Sequence, residues 1–398
     1  MHCQVSTLAV PSSANNATHH PPTANDRSMR STGRRCFTNI LLGCFCLAIL
    51  LAGIASQPAF ANTALRYAYV TDPVGAQIFG YSITPATGVL VPLGGGCFVT
   101  PAPNNPPDAA VVDFTGAYLY TTSMAANTVV LYDINPLTGC LGPATPFPLL
   151  GVGPVAIGIT PRNGCLYISD NQTGTIDSFM INPAGGFLVP AAGSPFPVGP
   201  GLQGLAVDEA GDRAVFVAVN PAGLIAGLAA APGCALLPPV LTPTAPFPFG
   251  VAIDPAGQFL AVVNQGGVNQ LWTYPIVRGG GGALAPPNPP KPTGPNPWAV
   301  AATPFGDTTF VTNNGANTVS SYLLNAGSGA PAVNGPVKAT GAAPEGIAID
   351  WTGSYFYVVD SGAGIVTGYK PNVTTGKPGN AFGAWPAGIG PTAIAIQP

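Results

Sequence analysis

Histidine is missing from all but the first twenty residues, where His2, His19 and His20 stand. The later chain therefore lacks the side chain that most readily exchanges a proton near neutral pH. After position 61 there is no Gly-x-Ser-x-Gly elbow of a serine hydrolase and no Cys-x-x-Cys spacing of a structural zinc site. Charge is scarce: 12 Lys and Arg and 15 Asp and Glu make up 7% of 398 residues. Eight basic residues follow position 61, scattered singly from Arg66 to Lys377, so no phosphate-binding cluster exists and nucleic acid is excluded as a partner. Glutamate there is reduced to Glu209 and Glu345. Helical periodicity is missing too, and 52 glycines with 47 prolines punctuate the chain into short segments.

The longest apolar run, Ile40 to Ala55, has 16 residues and follows Arg34 and Arg35. It falls short of the roughly 18 to 20 residues that span a bilayer. Ala59-Phe60-Ala61 supplies a signal-peptidase pattern, so residues 1–61 are expected to be an export signal cleaved after Ala61, with a retained anchor as the alternative. Gly33-Arg34-Arg35-Cys36-Phe37 resembles a twin-arginine signal, which leaves the Sec and twin-arginine routes both open and the true start at Met1 or Met29. The expected location is periplasmic or secreted. In an oxidising compartment Cys97, Cys140, Cys165 and Cys234 allow three complete pairings. Cys140 and Cys234 occupy matching places two repeats apart, which disfavours that pair, and Cys97–Cys140 is the working assignment.

What fills the rest is repetition. The segments PDAAVVDFTG, PVAIGITPRNG, LQGLAVDEAG, PFGVAIDPAG, PWAVAATPFG, PEGIAIDWTG and PTAIAIQP close at Asp113, Thr160, Asp208, Asp254, Thr303, Asp350 and Gln397, in steps of 47, 48, 46, 49, 47 and 47 residues. Short Val-, Ile-, Phe- and Tyr-rich strands at such a period predict an all-β, seven-bladed propeller of four-stranded antiparallel blades over residues 62–398. In the unit from Gly153 to Pro200 the four strands read VAIGI, CLYIS, IDSFMI and GFLVPAAG. The seventh unit has its first strand at Thr392 to Ile396, and the next strand it needs, starting at Arg66, lies near position 62. Both chain ends should therefore share one blade and leave no open edge. Asp113, Asp208, Asp254 and Asp350 each precede a glycine by three residues, which reads as turn capping. Two repeats depart from the pattern. Pro221 to Ala231 loses the aromatic third strand, and GGGG with PPNPPKPTGPNP reads as an irregular surface excursion.

The stretches Tyr69-Val-Thr-Asp72, TFVTNNGANTVSSY, Asp133-Ile-Asn-Pro-Leu-Thr-Gly and AGGFLVPAAGSPFPVG resemble the repeat of YVTN-type propellers in the lactonase-like superfamily. The resemblance implies the seven-bladed architecture. Its activities range from sugar-lactone hydrolysis to surface-layer proteins, and fold alone does not choose among them.

One position per repeat varies where the frame around it does not: Asp108, Val155, Gln203, Phe249, Trp298, Glu345 and Thr392. If the strands run as in other propellers, these side chains ring the channel. Gln203, Phe249, Trp298 and Thr392 are the candidate ligand contacts, and Glu345 or Asp108 the candidate general base. A second series ends the second strands at Asp72, Ser123, Asp170, Asn264, Asn313 and Asp360, with Ala218 or Asn220 in the irregular unit. These are read as turn residues; Asp72, Asp170 and Asp360 are weak calcium candidates, and no other cofactor is expected. Without a histidine, the sequence favours an exported, monomeric recognition or scaffold propeller binding a small molecule, glycan or envelope protein. A lactone hydrolase is the alternative.

Overall fold

The computed structural model describes residues 65–94, 97, 105–160, 164–208, 214–304, 308–372 and 374–398. The expected leader, with Arg34, Arg35 and the Ala61 cleavage site, lies outside these residues, as do Glu209 and Gly211. Seven antiparallel sheets form the described structure. Their inner strands are Ala393–Ile396, Ala110–Val112, Pro154–Ile159, Leu202–Val207, Pro248–Ile253, Pro297–Ala302 and Pro344–Ile349, numbered here as blades 1 to 7. Each inner strand contacts the next, and the seventh contacts the first, so the ring closes. In blade 1, Ala393–Ile396 pairs with Arg66–Asp72, with Tyr69 opposite Ala395. No helix of the described residues is long and apolar enough to cross a membrane.

Blades pack through apolar faces, because a twisted sheet that is buried on both sides must fill the wedge to its neighbour. The second strands are buried along nearly their whole length, as in Ala214–Val219 and Phe259–Asn264. Tyrosines on these strands also latch one blade to the next. Tyr69 Oη donates to Gly139 O (2.8 Å), Tyr120 Oη to Gly186 O (2.7 Å) and Tyr357 Oη to Gly88 O (2.6 Å). The three acceptors sit in outer turns at φ of 72°, 69° and 71°. A Cβ at Gly139 would come within 2.3 Å of the Tyr67 ring, so both the left-handed conformation and the close approach require glycine.

The turn aspartates cap as expected. Asp113 accepts the N–H of Thr115 (3.1 Å) and Tyr118 (2.7 Å), and Asp350 accepts those of Thr352 (3.3 Å) and Tyr355 (2.6 Å). Thr160 Oγ1 takes the same place, accepting Gly164 N (3.1 Å) and Cys165 N (3.0 Å). Disulfides join Cys97 to Cys140 and Cys165 to Cys234.

Two expectations about the irregular repeats are corrected. Blade 4 keeps a regular third strand, Leu224–Ala229. A neighbouring loop lies against it and requires glycine at one position: a Cβ on Gly227 would be 2.0 Å from Gly282 O. The proline-rich segment is no excursion either. Lys291–Pro292 pairs with Gln270 and Leu271 as the outer strand of blade 5, and Pro292 O accepts from Tyr322 Oη (2.7 Å) in blade 6.

Candidate functional site

The end of each second strand lies beside the start of its inner strand, as Asp170 does beside Pro154 and Asp360 beside Pro344. The loops at this end surround a cavity of about 520 Å³. All seven variable positions line it: Asp108, Val155, Gln203, Phe249, Trp298, Glu345 and Thr392. Their order around the ring divides the wall. Glu345, Thr392 and Asp108 come from the consecutive blades 7, 1 and 2 and form a polar arc. Phe249 and Trp298, from blades 5 and 6, form an aromatic arc with ring centroids 4.4 Å apart.

Backbone positions in this ring are fixed between blades. Ser169 Oγ donates to Gln203 O (2.8 Å) and Thr312 Oγ1 to Glu345 O (2.9 Å). Thr71 Oγ1 (2.9 Å) and Thr392 Oγ1 (2.6 Å) both meet Asp108 O. The Thr392 hydroxyl is thus engaged in holding Asp108. The Asp108 carboxylate accepts Met124 N at 2.6 Å through Oδ2, while burial pushes its pKa upward. Burial also raises the Glu345 carboxyl, to about 7, with a hydrogen bond from Ser361 acting the other way.

Sequence comparison of the seven variable positions does not reach several other groups at the mouth. Met124 and Asn171 line the cavity, and Ser361 meets Glu345. The signal for them is one residue further along each second strand. There Asn171, Asn220, Gln265 and Asn314 send side-chain N–H bonds to Leu202 O, Pro248 O, Pro297 O and Pro344 O of the following blade. At Ser361 the series changes from an amide to a hydroxyl, and its partner is the Glu345 side chain.

The opposite opening differs in kind. Its cavity of about 420 Å³ is walled by residues such as Phe114, Val207, Pro304, Ile349 and Trp351, with no ionisable side chain among the described residues of the lining.

Residues 58–200 match the family model described as lactonase, 7-bladed beta-propeller. The chain is a seven-bladed propeller, and this part of it is similar to the lactonase family. The periplasmic gluconolactonase of Pseudomonas aeruginosa aligns with it at 16% identity and a TM-score of 0.70, over 84% of this chain and 99% of that one. A Bacteroides fragilis protein provisionally named a 6-phosphogluconolactonase aligns at 16% identity and a TM-score of 0.72, over 85% and 99%. A Lactobacillus plantarum protein gives 15% identity and 0.71, over 84% and 100%. At such identities the likeness is one of fold. None of the curated proteins matches the sequence.

In this propeller the second series of polar residues is built into the blades. Asp72 accepts the N–H of Gly75 (3.0 Å), Ile389 (2.9 Å) and Gly390 (3.1 Å). Asn313 Oδ1 accepts Gly294 N (2.9 Å), while its Nδ2 reaches Thr318 (3.1 Å) and Ser320 (2.9 Å). The calcium candidates Asp72, Asp170 and Asp360 are carried by three different blades, and among the described residues no cluster of three or more acidic, Cys or His side chains forms. Asp170 is fully buried, and Oδ1 has no hydrogen-bond partner. Burial first, and the nearby Asp177 second, push its pKa from 3.8 up to about 8.

The folded propeller therefore keeps a proton on Asp170 that an unfolded chain releases above about pH 4. Stability from this group is present below the unfolded value and is lost as pH rises through about 8. Asp170→Asn mimics the protonated acid, and Asn313 holds the matching place in blade 6, where Ser320 stands in the position of Asp177. The variant should melt several degrees above the wild type at pH 8 and level with it near pH 4, as read by calorimetry. A lower melt at pH 8 would refute this account.

Proposed function

We propose that this chain is an exported lactone hydrolase acting at the mouth lined by Asp108 and Glu345, with Glu345 as general base. The observation that carries the reading is the Glu345 carboxyl, held in the cavity wall with its pKa pushed to about 7. The recognition or scaffold role expected from the sequence rested on the missing nucleophile elbow, the scarcity of Lys and Arg, and the missing histidine. Burial gives a glutamate the same titration range. The family match and the Pseudomonas aeruginosa gluconolactonase support hydrolysis over a passive role. Two disulfides and the leader pattern support export, since such bonds persist in oxidising compartments.

In the proposed step, ionised Glu345 removes a proton from water as the water oxygen bonds to the lactone carbonyl carbon. The ring C–O bond then breaks, and the departing alkoxide takes the proton back from the Glu345 carboxyl, giving a hydroxy acid. Gln203 supplies neutral N–H donors in the same wall, and hydrogen bonds to the developing oxyanion lower the barrier. Asp108 is the second carboxyl on the polar arc and the alternative base.

Because the base form requires loss of the Glu345 proton, kcat/KM should rise with pH and reach half its plateau near pH 7. Ser361→Ala removes a bond that favours the ionised form and should move that midpoint to higher pH. A lactone screen across pH 5 to 9 tests both. Absence of hydrolysis, or an enzymatic rate flat across that range, would overturn the reading.

A further inference from the structure

Charge is distributed unevenly over the propeller in a way that bears on which lactone it accepts. Among the described residues no Lys, Arg or His lines the mouth, and the only ionisable side chains there are Asp108 and Glu345. Of the six described cations, Arg66, Arg278, Lys370 and Lys377 lie toward the opposite end, at strand termini paired away from the Asp72, Asn264 and Asp360 ends. Lys291 and Lys338 do lie toward the mouth end, but on outermost strands, and Lys338 is bonded to Asn380 Oδ1 at 3.0 Å. A phosphate or carboxylate entering the mouth would meet two carboxyls in a partly desolvated space with no counter-charge, an arrangement that costs free energy.

Apart from Asn171, Gln203 and Thr392, the rest of the described wall is apolar. Phe249 and Trp298 present a tilted aromatic pair, extended by Val155, Leu205, Val251 and Val300. Trp298 is followed around the ring by Glu345. A ligand with an apolar portion against Phe249 and Trp298 therefore places its polar end next to the carboxyl arc. The cavity of about 520 Å³ lies within the usual range for small-molecule sites.

We propose that the mouth selects uncharged lactones bearing an apolar substituent, which rests on Phe249 and Trp298, and rejects phosphorylated or carboxylated lactones. The proposal rests on the lactone-hydrolase reading for turnover, but its binding preference is measurable without turnover. Tryptophan fluorescence titrations of the full chain would use a δ-lactam bearing an alkyl chain, unsubstituted glucono-lactam and its 6-phosphate. The alkyl lactam should bind at least tenfold more tightly than the phosphorylated one. Trp298→Ala, followed by calorimetry, should weaken the alkyl lactam about tenfold. Val155→Arg, which places a cation in the wall, should strengthen the phosphorylated compound and leave the melting temperature near wild type. Equal or tighter binding of the phosphorylated lactam by the wild type, or failure of the alkyl lactam to bind, would overturn the proposal. If the alkyl lactam binds as expected while the corresponding lactone is not hydrolysed, the substrate-shape inference stands and the hydrolase reading falls.

Discussion

Glu345→Gln should lower kcat for lactone hydrolysis by about 10²- to 10⁴-fold while leaving KM within a few-fold of wild type, the range general-base catalysis commonly contributes. The change keeps the shape of the side chain and removes only its capacity to accept a proton. The backbone bond from Thr312 Oγ1 to Glu345 O does not involve the carboxyl, so the residue stays in place. Stability provides a control with a definite sign. A carboxyl whose pKa is raised by burial loses stability as pH rises above its unfolded value, so the neutral amide should melt no lower than wild type at pH 8. Steady-state kinetics beside calorimetry separate the two effects. A full-rate Glu345→Gln enzyme would move the base assignment to Asp108, where Asp108→Asn should then carry the large loss.

Removal of Pro391 to Pro398 should destabilise the propeller more than any single substitution at the mouth. These residues include the inner strand of blade 1, paired from Ala68–Ile396 to Thr71–Ala393. Ile394 and Ala395 are buried, and Gln397 Nε2 bonds to Gly116 O of blade 2 at 2.7 Å. Loss of the buried Ile394, the partly buried Ile396 and the strand ladder amounts to on the order of 5 kcal/mol, given about 1.5–3 kcal/mol for a fully buried large apolar side chain. For a domain of this size that corresponds to a fall of about 7 °C in the melting temperature. The deletion also takes away Thr392, which holds Asp108 in position. Ile394→Ala gives a milder check should the truncated chain fail to fold, with an expected cost of about 2–5 kcal/mol. An unchanged melt for both would contradict closure through the terminal strand.

The ring was legible in the sequence because its physics is periodic. An inner strand packed near the axis needs small apolar residues, the turn after it needs a capping Asp or Thr, and both demands recur every 46 to 49 residues. The same regularity exposed the ring at the mouth: seven positions vary inside a constant frame, and the structure gathers all seven around one cavity. Where the repeat weakened, sequence reasoning lost accuracy. Blade 4 looked as if its third strand had lost its character, since Gly227 there answers to the backbone at Gly282, a contact between distant segments. The proline-rich segment looked like an excursion because an outer strand of two residues leaves no alternating pattern.

Local spacing and turn chemistry therefore determined the fold class, the blade number and the membership of the ring at the mouth, since these are set by residues within a single repeat. Only the tertiary structure decided how those ring residues are employed. It placed the aromatic and polar side chains on separate arcs, engaged the Thr392 hydroxyl with Asp108, and buried Glu345 enough to bring its proton exchange near neutrality. Those properties depend on desolvation and on contacts between blades, and neither is encoded at any one position of the chain.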